Sequence, residues 1–187
     1  GVPGGIDGAD AQWVDLDGEG ISGVLIPTER AWFYKPNLGD GRLGPPGRER
    51  QLPSPAELRG GVQQLSDLGA DGKLDLVSYA PPLSGYFERT DDRSWSPFAG
   101  LRDVPNLDWR DPNLRFVDLD GDGQADVLIT EHDTFVWYRA RGRDGFEPAA
   151  FVPKARDELA GAAIVFADGT ETIHLADMSG DGLIDLV

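Results

Sequence analysis

Apolar residues along this chain fall in short runs that Gly- and Asp-rich turns interrupt at regular intervals. "VLIP" (24–27), "LVSY" (76–79) and "VLIT" (127–130) are each followed by an aromatic run: "AWFY" (31–34), "GYFE" (85–88) and "FVWY" (135–138). A polar turn closes each pair: "LGDGR" (38–42), "TDDRS" (90–94) or "GRDGF" (142–146). Runs this short, rich in β-branched and aromatic residues and bounded by turn formers, predict consecutive antiparallel strands. Helical periodicity is nearly absent. "PSPAELRG" (53–60) and "KARDELAG" (154–161) alone have the composition for a turn or two of helix.

The pattern repeats. "WVDLDGEGISGVLIP" (13–27), "LSDLGADGKLDLVSY" (65–79), "FVDLDGDGQADVLIT" (116–130) and "LADMSGDGLIDLV" (175–187) align on Asp15, Asp67, Asp118 and Asp177, which lie 52, 51 and 59 residues apart. A period in the fifties suits a propeller blade better than a helical solenoid, whose repeats run about 33–47 residues. Each repeat is therefore expected to be one four-stranded blade of a β-propeller. The approximate boundaries are 11–61, 62–112, 113–171 and an incomplete 172–187, within a single propeller fragment. A β-sandwich is the rival architecture. The residue two before each leading Asp is Trp13, Leu65, Phe116 or Leu175. It is large and apolar each time and is expected to point into the core between sheets.

Between the apolar strands the aspartates crowd. Counting from Asp118, the third loop places Asp118, Asp120, Asp122 and Asp126 at positions 1, 3, 5 and 9, with Gly121 and Gly123 at 4 and 6. Hard cations such as Ca²⁺ take six to eight oxygens at about 2.3–2.6 Å. A tight loop can turn positions 1, 3 and 5 inward, add the backbone carbonyl of Gln124 and close with Asp126. Without an ion, carboxylates this close repel one another; a bound cation removes that cost. The EF-hand is excluded, because its loop needs a carboxylate at position 12, where Ile129 stands, and helices on both sides. The expected site is a nine-residue calcium loop inside a β-hairpin.

The other loops are less complete. The second offers Asp67, Asp71, the carbonyl of Lys73 and Asp75, but Gly69 removes the position-3 ligand. The fourth offers Asp177, Ser179, Asp181, the carbonyl of Leu183 and Asp185. The first has Asp15, Asp17 and Glu19, but Gly23 stands at the closing position. Gly recurs at position 6 in all four, as Gly20, Gly72, Gly123 and Gly182, which predicts one shared loop shape. The alternative for any single loop is a solvated acidic turn.

The 187 residues carry a formal charge of −16 and 40% apolar residues, enough for a folded core and too acidic for nucleic acid or anionic membranes. There are no cysteines, so the redox compartment is open. No apolar run approaches the roughly 20 residues that span a bilayer. The chain begins at Gly1 without a visible signal peptide and stops within the apolar run "GLIDLV", so either a processed chain or an excised piece of a longer protein is expected. His132 and His174 stand outside any metalloprotease motif, and there is no nucleophile-elbow motif. Catalysis is not expected.

Loops of the form D-x-D-x-D-G-x-x-D within blades resemble the FG-GAP/VCBS repeats of integrin-α-like propellers. "NLGDGRLGPP", "GVQQLSDLGADGKLDLV", "PNLDWRDPNLRFVDLDGDGQADVLITE" and "VFADGTETIHLADMSGDGLIDLV" resemble, in order, the central part of the B component of bacterial insecticidal toxin complexes, related to virulence-plasmid B proteins. That resemblance implies a non-catalytic propeller in a secreted, extracellular assembly, cytoplasmic only before release. It further implies Ca²⁺ in the loops. Its partners would be the toxin A and C components: it would dock the B–C cocoon onto the pore-forming A component and gate passage of the toxic enzyme. The turn "RTDDRSWSPFAG" (89–100), with Arg89, Arg93, Trp95 and Phe98, is the candidate contact. The alternative function is calcium-dependent adhesion or glycan binding, with Trp95, Trp109 and Trp137 stacking on sugars unless they pack the blades.

Overall fold

A computed structural model describes residues 11–28, 31–49, 52–53, 58, 63–92 and 94–154, together with the backbone of two strands at 175–176 and 185–186. The chain divides into two units, Gly1–Gly100 and Leu101–Val187.

The first unit holds two four-stranded antiparallel sheets. β1 (Gln12–Val14), β2 (Gly23–Pro27), β3 (Trp32–Lys35) and β4 (Gly47–Arg48) pair in sequence order, and β5 (Gln63–Ser66), β6 (Asp75–Ser78), β7 (Gly85–Phe87) and β8 (Ala99–Gly100) repeat the arrangement. The expected strand runs fall on β2, β3, β6 and β7. Side chains alternate across a strand, so cross-strand partners Leu25 and Tyr34 share one face of the first sheet with Trp32. On the second sheet the row Leu65–Leu76–Phe87 shares a face. Leu16, Leu25, Trp32, Tyr34 and Leu76 form one buried cluster against which Leu65, Phe87 and Trp95 pack, so the two faces meet. Each fully buried side chain of this size contributes about 1.5–3 kcal/mol.

The second unit contains β9 (Leu114–Val117), β10 (Asp126–Thr130), β11 (Thr134–Tyr138) and β12 (Ala150–Pro153), again in consecutive antiparallel order, and a hairpin of β13 (Leu175–Ala176) and β14 (Asp185–Leu186). A single 3₁₀ turn, Gly142–Asp144, is the helical element among the described residues. Trp109 stacks on Phe116 and tilts against Phe146, at centroid distances of 6.2 and 6.1 Å. The two segments considered for short helices lie almost entirely outside the described residues.

The expected fold class, all-β with four-stranded antiparallel blades, is therefore the one observed. One expectation fails. Leu65 faces the core as predicted, but Trp13 is 67% exposed. In the first two loops the residue after the leading Asp is buried, Leu16 at 0% and Leu68 at 9% exposure, whereas its third-loop counterpart Leu119 is 42% exposed. Trp13 lies on the opposite face of its sheet from Leu25 and Tyr34, because its cross-strand partner is Val24.

Candidate metal centre

Each acidic loop joins the first two strands of a sheet, as β1–β2, β5–β6 and β9–β10. The three described loops share a hydrogen-bonded frame. The position-6 glycine N–H donates to the leading carboxylate each time: Gly20 to Asp15 at 2.5 Å, Gly72 to Asp67 at 2.8 Å and Gly123 to Asp118 at 2.8 Å. These glycines have φ of 79°, 84° and 84°, a left-handed conformation that only Gly adopts without strain. Position 1 therefore orders its own loop.

In the third loop the ligand atoms of Asp118, Asp120 and Asp126 lie within 4.8 Å of one another. Asp126 is 0% exposed and opens β10. Its Oδ1 accepts the Ala140 N–H at 2.7 Å, and its Oδ2 accepts Trp137 Nε1–H at 2.9 Å and the Leu119 N–H at 3.2 Å. Burial raises its pKa above the ordinary carboxylate range, against the pull of those three donors. A carboxylate offers about four lone-pair sites, so Asp126 can pin the loop to β11 and still face a cation. Asp122 stands outside the group of three. Its Oδ1 accepts the Gln124 N–H at 2.9 Å and its Oδ2 lies 3.6 Å from Arg139. The Arg139 Nε is 2.5 Å from Asp120 Oδ2, so a guanidinium already supplies part of the loop's countercharge. Gln124 Oε1 is buried without a hydrogen-bond partner. Three converging carboxylates make a donor set that suits a hard cation.

The first loop is built differently. Asp17, the counterpart of Asp120, pairs with Arg89 of the second sheet at 3.0 Å, and the same guanidinium reaches Glu49 at 3.1 Å. The side chains of Arg89, Asp17 and Glu49 are 2%, 9% and 10% exposed. Trp95 lies 5.3 Å from the guanidinium and meets Trp32 edge-on at 6.1 Å. At the closing position a Cβ on Gly23 would come within 2.6 Å of the Tyr34 hydroxyl. Tyr34 and Trp137 each stand eleven residues after the closing position, so the Tyr34 ring fills space that a carboxylate takes in the third loop. In the second loop Asp75 accepts the Arg89 N–H at 3.4 Å, the same span as Asp126 to Ala140. Lys73 pairs with Asp91, which raises its pKa. Its N–H donates to Asp71 at 3.0 Å.

Among the described residues only the third loop brings three acidic ligand atoms within that distance. Asp177, Ser179, Asp181 and Leu183 lie outside the described residues, and Asp185 is described only as backbone in β14. The candidate contact turn changes character: Arg89 is buried at 4% exposure, Trp95 packs on Trp32, Phe98 rests 5.3 Å from Phe87, and Arg93 lies outside the described residues. Arg139, Tyr34 and Glu49 were not read as part of any site, and Trp137 was read only as a candidate sugar-stacking residue. The one available signal was an aromatic ring eleven residues after each closing position, Tyr34, Tyr86 and Trp137.

Residues 118–187 match the FG-GAP-like repeat family, so the loop geometry and the family agree on the third repeat. The chain is similar over 95% of its length to a chain of the Photorhabdus luminescens Tc holotoxin pore, at 28% identity and a TM-score of 0.71. It covers 8% of that chain. The fold also recurs in an Agrocybe aegerita lectin that recognises non-reducing terminal N-acetylglucosamine (18% identity, TM-score 0.58, 94% of this chain and 45% of that one). A TcdB2–TccC3 structure matches at 15% identity and TM-score 0.53 over 94% of this chain and 13% of that one. No curated protein sequence matches the chain. The resemblance read from the sequence, to FG-GAP blades and to the B component of a toxin complex, thus stands.

Proposed function

We propose that this chain is a non-catalytic, calcium-binding propeller segment of a secreted bacterial toxin complex. In that role it docks a B–C cocoon onto a pore-forming A component and gates passage of the enclosed enzyme. The observation that carries the reading is the likeness to the Tc holotoxin chain along 95% of this one. The acidic balance of −16 favours a partner surface that is at least partly basic. The enzyme and C-component partnership come from the same likeness. Asp118, Asp120 and Asp126 would hold Ca²⁺, with Asp122 and the Gln124 carbonyl as further oxygens. The ion would supply the positive charge that ties the loop to the strand carrying Asp126.

The adhesion reading loses support from the aromatics it relied on. Trp95 packs on Trp32, Trp109 stacks on Phe116 and Trp137 donates to Asp126. Surface binding of the assembled B–C complex to an A component tests the proposal, with a glycan array run beside it. Saturable binding to A supports docking. Binding to a glycan through this segment, with none to any A component, overturns it.

A further inference from the structure

The two guanidiniums that meet acidic loops differ in how firmly they are held. Arg89 is enclosed, at 2% exposure, between the nearly buried Asp17 and Glu49. Arg139 stands at the mouth of the third loop, its side chain 44% exposed, with Asp120 at 23% and Asp122 at 27%. One Asp120 oxygen accepts the Asp122 N–H, and the other faces the Arg139 Nε. One Asp122 oxygen accepts the Gln124 N–H, and the other faces the Arg139 Nη2. The guanidinium thus spans positions 3 and 5, two of the side chains expected to hold an ion. An ion pair this open to water is weakly held and is screened by salt. The backbone beneath it is fixed. Trp137 and Ala140 on either side donate to Asp126, and the Arg139 carbonyl accepts the Glu147 N–H at 2.8 Å. The side chain can therefore leave the loop by rotating about its own bonds. Nor does the repeat require it: directly after the third strand of each sheet stand Pro36, Glu88 and Arg139, so among these three repeats the third alone places a cation there.

On the calcium reading given above, we propose that Arg139 is a tethered, exchangeable counter-ion that sets the calcium threshold of the third loop. With little calcium, the guanidinium neutralises Asp120 and Asp122 and keeps the loop from repelling itself. With more, the divalent ion takes those oxygens and the guanidinium swings into solvent. Arg139 thus competes with the ion for two carboxylates and leaves Asp118 and Asp126 untouched. The third loop stays folded in calcium-poor surroundings and exchanges its cation in calcium-rich ones. Arg89 cannot act in this way, because releasing it would strand two buried carboxylates.

The test is a Ca²⁺ titration of the full chain and of its Arg139→Met and Arg139→Lys variants, followed by NMR. The Gly123 N–H and the Trp137 indole N–H, which bond to Asp118 and Asp126, read the third loop apart from the others. Arg139→Met is expected to bind calcium about tenfold more tightly, since a unit charge a few ångströms from a divalent ion is removed. Arg139→Lys keeps the charge and stays within a few-fold of the parent. In the parent the Arg139 Nε–H resonance moves as calcium is added. Thermal unfolding gives an independent readout: Arg139→Met melts below the parent in chelator and above it in saturating calcium. A residue with a merely structural role would lower both. Equal affinities for parent and Arg139→Met, or weaker binding by the variant, overturn the proposal and leave the calcium reading standing. Calcium that moves neither reporter in the parent or in Arg139→Met overturns both. Binding seen in Arg139→Met alone supports the competition in its strongest form.

Discussion

The first and third acidic loops open on the same D-L-D-G-x-G pattern and solve the same electrostatic problem in two ways. In the third, three carboxylates converge, and the closing Asp126 is held by three donors from its own repeat. In the first, the closing Asp has become Gly23, a tyrosine ring has moved into the space, and Asp17 has turned to a buried arginine of the next sheet. The first loop takes its countercharge from Arg89; the third has the Arg139 guanidinium beside Asp120 and, under the proposed function, a cation from solution. An acidic motif therefore specifies that a positive charge is needed, and its neighbours decide which one arrives.

The largest effect that bears on this contrast is expected from Arg89→Met. Removing the guanidinium strands Asp17 and Glu49 at low exposure, and breaking a buried pair in this way costs about 3–5 kcal/mol. Denaturant unfolding should show that loss equally in calcium and in chelator. A loss that calcium repairs would mean that the first loop is a metal site after all.

Asp126→Ala comes next. It leaves the Ala140 N–H, the Trp137 indole and the Leu119 N–H without their acceptor, at about 1–3 kcal/mol for each donor that stays buried and unsatisfied. The calcium response should vanish with it. A variant that melts like the parent would show that the three bonds are replaced by water.

Calcium itself should stabilise the parent by about 2.7 kcal/mol at a hundredfold excess over Kd. Asp120→Asn and Asp122→Ala should each reduce that increment, Asp120→Asn more, since Asp120 is in the converging group. Asp15→Asn and Glu19→Gln should leave it intact. Identical melting in calcium and in chelator would remove metal binding from the account.

The smallest expected effect tests the shared frame. Ala70 occupies position 4 of the second loop at φ 50°, where Gly18 and Gly121 sit at 71° and 78°. A Cβ in that region is strained, so Ala70→Gly should gain about 0.5–1 kcal/mol, read as a rise in melting temperature. A fall would show that Ala70 makes contacts worth more than its strain.

The strands and hairpins were legible because their signals are local. "VLIP" and "FVWY" lie between turn residues whose chemistry leaves few alternatives, and Gly20, Gly72 and Gly123 announce a common loop at a fixed offset. Gly23 was legible as a departure, but its consequence was not. That depended on Tyr34 folding back along the next strand and on Arg89 arriving from another sheet. Trp13 was misread because apolarity shows that a face should be covered without showing whether this chain covers it. Arg139 was overlooked because nothing in "WYRARG" distinguishes a loop-facing guanidinium from a solvated one.

The Arg89 clamp also constrains the order of assembly. Its partners lie 72 and 40 residues earlier in the chain. During synthesis at about 5–20 residues per second, the first sheet's Asp17 is made several seconds before the arginine that compensates it. Closing a loop of that length adds entropy cost that short hairpins do not carry. The first hairpin can form early, but its acidic loop stays repulsive until the second sheet arrives. The first two sheets should therefore gain protection from hydrogen exchange together, as one cooperative folding unit.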